Sequence, residues 1–287
     1  LKEGRKMILQ DIKNIVVPID FSPHSGAALR WAAYWQSQTE AQVTVLHCRA
    51  FDAPPSFTLE QIDDLALQAV HAEEQIHDDV AAFINDQLGY AVSWDIWVKE
   101  GDPAQIIHEH CNCADLIIMG THGRHGLQHW MLGSVAESII HNAKVPVLVV
   151  RNAMDSIVAK PDIKKILVPV NNALNDEITF NAAINTASIF NAEIYTIHVK
   201  EHHDVNIKTP DNINGIPVIH VEKAGKPAEE ILATGREISA DLIILTATYK
   251  KFLDIDILPS TITQVLRYGT IPVLVLPHTI SKIGEKI

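Results

Sequence analysis

Positive charge, cysteine and long apolar runs are all in short supply in this chain, and each shortage removes a class of function. Lys and Arg number 23 against 35 Asp and Glu, for a formal net charge of −12. That balance provides no field for gathering nucleic acid or an anionic membrane surface by bulk electrostatics. The three cysteines, Cys48, Cys111 and Cys113, cannot make a closed disulfide framework, which suits a reducing, cytoplasmic setting. No apolar stretch approaches the length of a membrane span. The first residues, Leu1 to Asp11, lack the apolar core of a secretory signal. Met7 is a candidate initiator, with residues 1–6 as an upstream extension. The remaining composition, 47% hydrophobic and 20% charged over 287 residues, is that of a soluble globular protein with one large or two ordinary domains.

What is present is a spaced set of glycines. The apolar run Leu116-Ile117-Ile118-Met119 leads into Gly120; after two intervening residues comes Gly123, after nine more Gly133, and then Ser134. Ser134 opens a helical pattern, Val135-Ala136-Glu137-Ser138-Ile139-Ile140. A strand–loop–helix junction of this kind can bind phosphate. Glycines let backbone N–H groups approach an anion, and the first helical turn offers unpaired N–H groups and a positive dipole end. The spacing is neither a Walker A loop nor the Gly-x-Gly-x-x-Gly of dinucleotide folds. The plain alternative is a capping box, Ser134 with Glu137, that only starts a helix.

The chain repeats itself. Ile12 to Asp20 matches Ile163 to Asn171, and the same offset relates Ala41 to Ala192 and His47 to His198. Later, Ala114-Asp115-Leu116-Ile117-Ile118 matches Ala240-Asp241-Leu242-Ile243-Ile244, and Val145 to Val149 matches Ile271 to Val275, at a shorter offset. A duplicated unit results, divided as 1–150 and 151–287, with the joint near 151–162. In the first copy, strands are expected over Asn14–Ile19, Gln42–Cys48, Val92–Val98, Leu116–Met119 and Val145–Val150. Helices are expected between them, with Ser22-Pro23 and Asp102-Pro103 as capped starts. Alternating strands and helices predict parallel pairing with right-handed crossovers. The second copy is shorter between its second and third strands, so the long helix corresponding to 58–88 is expected to be missing there.

Taken together, Val17-Pro18-Ile19-Asp20, Leu46-His47, Gly101-Asp102-Pro103, Ala114 to Gly120, the spaced glycines and Val145 to Val149 resemble the universal stress protein family, in tandem form. The resemblance implies an α/β fold of two doubly wound, five-stranded parallel-sheet domains arranged as a pseudo-dimer, with ATP at the carboxyl ends of the strands. It also implies an ATP-binding stress-response regulator. By resemblance, Pro18, Ile19 and Asp20 face adenine and ribose, and Cys48 lines the base pocket. Met119, Gly120, Gly123, Gly133, Ser134 and Val135 contact ribose and phosphates, mostly through the backbone. Arg124 and His125 could reach outer phosphates. ADP or AMP would share the base and first-phosphate contacts, and magnesium is the expected companion ion. Each residue also has an ordinary reading: Asp20 as a loop-capping carboxylate, Cys48 as a small buried apolar group, Arg124 as solvated surface.

The second copy departs from the pattern. Gly120, Gly123 and Gly133 become Thr246, Tyr249 and Pro259; Asp20 becomes Asn171; only Ser134 is kept, as Ser260. Tyrosine resists glycine's backbone angles and proline removes a donor. Asp254 and Asp256 add negative charge beside the would-be phosphate site. This half is expected not to bind ATP in the family manner and to act as a pseudo-symmetric partner, with Val145–Val150 and Val273–Leu276 pairing between halves. No metal site is expected: His108-Glu109-His110-Cys111-Asn112-Cys113 and His202-His203-Asp204 both read as polar surface. No nucleophile elbow is present and Asp115 precedes its strand, so a regulatory module is expected rather than an enzyme. The expected partners are an adenine nucleotide and an unidentified protein, with no nucleic acid or membrane; a homodimer of the tandem chain stays open.

Overall fold

The structure, a computed structural model, describes residues 9, 12–49, 59–121, 132–151, 161–170, 173–200, 211–247, 250–252, 255–257 and 260–277; residues 59–72, 112, 173–177, 250–252 and 255–257 are described in main chain only. The first half runs β1 (Asn14–Ile19), α1 (Pro23–Thr39), β2 (Gln42–Arg49), α2 (Leu59–Leu88), β3 (Asp95–Glu100), α3 (Pro103–His110), β4 (Leu116–Gly120), α4 (Ser134–Asn142) and β5 (Val147–Val150). The second runs β6 (Lys165–Pro169), α5 (Ala173–Phe190), β7 (Glu193–Lys200), β8 (Asn212–Ile213), β9 (Ile216–Ala224), α6 (Pro227–Glu237), β10 (Leu242–Thr246), β11 (Lys250–Phe252), β12 (Ile255–Ile257), α7 (Ser260–Tyr268) and β13 (Val273–Leu276).

The two expected parallel sheets are present and, as expected, join through their terminal strands. Within each half, β3-β2-β1-β4-β5 and β13-β10-β6-β7-β9 pair in parallel. Strands β5 and β13 then pair antiparallel, Val149 opposite Val273 and Val147 opposite Val275, giving one sheet of eleven strands with β8 at its far edge. Each terminal strand would otherwise present an open row of amides and carbonyls; pairing the two removes both edges. These strands are apolar on both faces (Val147, Leu148, Val149 and Val150 are all buried), as interior strands must be.

Side-chain alternation divides the core. Ile15, Val17, Val43, Val45 and Ile118 pack beneath α1 and α2 on one face. Val16, Leu46, Ile117, Met119 and Val149 pack beneath α3 and α4 on the other. Both cores run unbroken into the second half. Phe190 of α5 stacks on Tyr34 with ring centroids 5.0 Å apart and meets Trp35 edge-on at 4.8 Å. The Tyr34 hydroxyl accepts from the Ile163 amide at 2.9 Å, which ties α1 to the strand that begins the second copy.

Local boundaries mostly follow the sequence, though β5 starts at Val147 rather than Val145. Ser22 caps α1, accepting from the Ser25 amide, and Asp102 caps α3, accepting from the Gln105 amide, each with proline in the first turn. The third strand starts at Asp95 rather than Val92. Val92 and Trp94 still pack against the core, and Trp94 Nε1 donates to Gln36 Oε1 at 2.8 Å, so their alternation reflects an apolar approach to the strand. The capping box at Ser134 does not form. Gly133, extended at φ −64° and ψ 145°, holds the cap position, and Ser134 is the first helical residue. Between β7 and β9 no helix occurs among the described residues; β8 folds back on β9 instead.

Candidate functional site

Register fixes what meets at the carboxyl ends of the first-half strands. Pro18 lies beside Leu46 and Ile19 beside His47, so Asp20 and Cys48 follow on adjacent strands. On the other side of β1, Gly120 at the end of β4 is level with Val150. Past Gly120, the Thr121 amide donates to the Val150 carbonyl at 3.1 Å, and the Gly133 amide donates back to the Thr121 carbonyl at 2.8 Å. This bridge closes the neck of the loop and sets the first turn of α4, Ser134 and Val135, over the strand ends. Gly123 and Arg124 lie outside the described residues, so their expected phosphate contacts stay untested.

Gly120 is bare for a steric reason. A Cβ there would lie 2.7 Å from His24 Cβ and 3.0 and 3.1 Å from the His24 carbonyl carbon and oxygen. The first turn of α1 therefore rests directly on the end of β4, and only glycine permits that approach.

Asp20 is committed to its own loop. Its Oδ1 accepts from the Ser22 amide at 3.1 Å and from the Ser25 hydroxyl at 2.5 Å, and its amide donates to Ser25 Oγ at 3.0 Å. The loop-capping reading is thus correct for this oxygen, and the network holds the half-buried carboxylate rigid at the mouth of the site. Serines 22 and 25 were not singled out from sequence as site residues; their link to Asp20 depends on a tight turn in which Phe21 takes φ 61°.

Ile19 departs from expectation. Its side chain is buried with the core under α1, on the face opposite Met119 and Cys48, and its carbonyl accepts from His47 Nδ1 at 3.0 Å. It cannot turn its side chain toward a base. Pro18, buried, and Met119, 5% exposed, share the α3–α4 side with Leu132 and partly buried Cys48 and Val135. Burial, with the nearby Asp102 carboxylate adding to it, pushes the Cys48 thiol up to about 11. Cys48 is therefore a neutral, small apolar wall near pH 7 and no nucleophile.

Asp115 sits at the opposite end, accepting from the Lys13 and Asn14 amides at 3.0 Å each. Asp241 does the same for Lys164 and Lys165 at 2.9 Å. The carboxylate is a staple for the first strand in both halves.

The second half has rebuilt its equivalent corner. Ala247 repeats the Thr121 link, donating to the Leu276 carbonyl at 2.9 Å. Thr246, however, fills the place of Gly120, and its hydroxyl is bonded to buried Thr179 of α5 at 2.6 Å. Beyond Thr246 the second half forms the antiparallel hairpin β11–β12. Asn171, Tyr249, Asp254 and Pro259 lie outside the described residues. Among the described residues no helix is long and apolar enough to cross a membrane.

Comparison with known proteins agrees with this architecture. The model of the Universal stress protein family matches residues 11–151 and 200–277. The intervening stretch includes β6, α5 and β7, which fold as the counterparts of β1, α1 and β2. A universal stress protein of Mycolicibacterium smegmatis is 27% identical over 190 residues, covering 64% of this chain and 63% of the relative. One from Mycobacterium bovis is 23% identical over 295 residues, 91% of this chain and 96% of the relative. Among solved structures, a universal stress protein from Archaeoglobus fulgidus superposes with a TM-score of 0.69 at 23% identity, covering 92% of this chain and 98% of its own.

Proposed function

The chain belongs to the universal stress protein family, and from that premise we propose that it is an ATP-binding regulatory protein with one competent site, in the first half, and a second half that serves as its fixed partner. The observation that carries this reading is the contrast at one corner of the repeat. At the end of β4 Gly120 is bare beneath the first turn of α1; at the end of β10 Thr246 is filled and bonded to Thr179.

The residues present suit an adenine nucleotide. The amides of the first α4 turn, at Ser134 and Val135, face the closed neck of the loop and suit phosphate oxygens. Since Ser134 does not cap its own helix, its exposed hydroxyl can serve a ligand. Pro18, Met119 and Cys48 form an apolar wall for a base. The rigid Asp20 carboxylate suits a ribose hydroxyl or the exocyclic amine. ADP or AMP would engage the same wall and first-phosphate donors, and magnesium would ride on the outer phosphates.

We read the protein as a regulator rather than an enzyme. Its cysteine at the site is held neutral, and the acid that recurs in both halves, as Asp115 and Asp241, is a staple at the opposite end of the strands. Nucleotide would then change the surface of the 121–133 segment offered to a protein partner. Calorimetric titration of ATP with magnesium into nucleotide-stripped protein tests this. One site per chain is expected, abolished by Gly133→Pro in a variant shown to be folded, because proline removes the amide that closes the neck. Absence of binding to the wild type overturns the reading in favour of an adaptor without nucleotide use.

A further inference from the structure

Among the described residues the second half has no counterpart of α2 between β7 and β9, and its sheet face differs there. In the first half, His47 donates from Nδ1 to the Ile19 carbonyl, and Phe21 packs edge-on against its ring at 4.8 Å. Phe21 in turn meets Phe83 of α2 at 5.3 Å. That corner is closed by aromatic packing. In the second half His198 repeats the first contact, Nδ1 to the Val170 carbonyl at 3.0 Å. Its neighbours are different. Across the β7–β9 register, Thr196 stands opposite His220 and His198 opposite Glu222. The valine that faces His47 in the first half is Val98.

His198, His220 and Glu222 share one sheet face, since residues alternate along each strand. With strands about 4.8 Å apart and alternate residues about 6.6 Å apart, they occupy three corners of one small cell. A carbonyl only accepts, so the proton of neutral His198 sits on Nδ1, and Nε2 carries a bare lone pair. His198 is 7% exposed, and its Nε2 is buried with no hydrogen-bond partner. His220 is placed similarly, but its partner is a hydroxyl, which can donate or accept, so either tautomer fits. Its Nδ1 is 2.7 Å from the hydroxyl of fully buried Thr196, and its Nε2 is buried and likewise unpartnered in hydrogen bonding. A buried lone pair on His198 and a second buried, unsatisfied ring nitrogen on His220 are costly, and with His220 in its Nδ1–H tautomer both offer a lone pair to one occupant. A histidine whose second ring nitrogen is fixed by a carbonyl or hydroxyl is the form that metal-binding histidines take.

We propose that His198, His220 and Glu222 bind one divalent transition-metal ion of the zinc class, with water completing the coordination. Two imidazoles and a carboxylate are the donor set that zinc accepts in open sites, and imidazole disfavours magnesium and calcium. Glu222 Oε1 lies 3.9 Å from His220 Nε2, slightly wider than the roughly 3.3 Å between two ligands of one ion with bonds of about 2.1 Å. As they stand, no three donors among the described residues converge closely enough for a metal. Glu222 is engaged elsewhere: Lys200 Nζ holds its Oε2 at 3.0 Å. Both partners of that pair are about two-fifths exposed, so the pair is weak and an arriving cation can displace the ammonium. The exposure of Glu222 also provides the entry path. The ion would tie β7 to β9 where the first half relies on Phe21 and Phe83.

This inference does not depend on nucleotide binding, so its test is run without nucleotide. Tag-free protein, stripped by a chelator and dialysed, is titrated with zinc by calorimetry, and with Co(II) followed by visible absorption. One ion per chain is expected. His198→Asn keeps an N–H for the Val170 carbonyl while deleting Nε2, and His220→Gln deletes the second nitrogen donor. With folding of both confirmed by circular dichroism, each should weaken binding about a hundredfold or more, and Glu222→Gln at least tenfold. Wild-type protein that binds no ion, or binding undiminished in both histidine variants, overturns the proposal.

Discussion

Replacing Gly120 by alanine should destabilise the first half and impair the proposed nucleotide site together. The added methyl would lie 2.7 Å from His24 Cβ and 3.0 Å from the His24 carbonyl carbon. Carbon atoms rest at about 3.5–4.0 Å, so the gap must open by about 1 Å. No side-chain rotation can supply it, because the opposing atoms are helix backbone and its first side-chain carbon. The first turn of α1 must move, and that turn carries Ser22 and Ser25, which hold Asp20. Overpacking of this kind costs about 1–3 kcal/mol, a sizeable part of a typical total of about 5–15 kcal/mol. Urea denaturation followed by tryptophan fluorescence should show a lower midpoint at unchanged slope, with weaker ATP binding in calorimetry. The exchange is not symmetric relief: Thr246→Gly should also destabilise, by about 1 kcal/mol, through loss of the Thr179 bond. A Gly120→Ala protein with the wild-type midpoint and wild-type affinity would refute the steric account of the site.

Two further outcomes are expected. Tyr34→Phe leaves the fully buried Ile163 amide without its acceptor and should cost about 1–3 kcal/mol in the same denaturation assay; an unchanged midpoint would show that α1 does not hold the second half. Burial, with smaller contributions from Cys113 and Cys48, pushes the Cys111 thiol up to about 12 from 9.0, so the folded chain keeps a proton that the unfolded chain gives up. That stabilisation is intact below pH 9 and falls as pH rises toward 12, by at most about 1.4 kcal/mol per pH unit, so Cys111→Ala should show a shallower alkaline loss than wild type; equal losses would contradict it.

Most of the fold was legible because its signals are local. The strand Asn14–Ile19, the proline-entered helices and the apolar run into Gly120 are set by neighbouring residues, and the repeat offsets announced the duplication. Some of the candidate positions were legible, since Pro18, Met119 and Cys48 fall on one sheet face near the strand ends and Ser134 and Val135 open α4 after Gly133. Side-chain direction was less legible. Ile19 faces away because one residue along a strand reverses the face, and Ser134 is a helix residue rather than its cap because the Thr121–Gly133 bridge fixes where the helix starts.

The sequence by itself determined the order of strands and helices, the two-fold repeat and the loss of glycine in the second copy, because backbone freedom and hydrophobic period are written residue by residue. Only the tertiary structure decided the antiparallel register in which β5 meets β13, that Asp20 is engaged by Ser22 and Ser25, and that His198 stands opposite Glu222. These depend on register between segments far apart in the chain, and register is chosen when whole faces bury against each other.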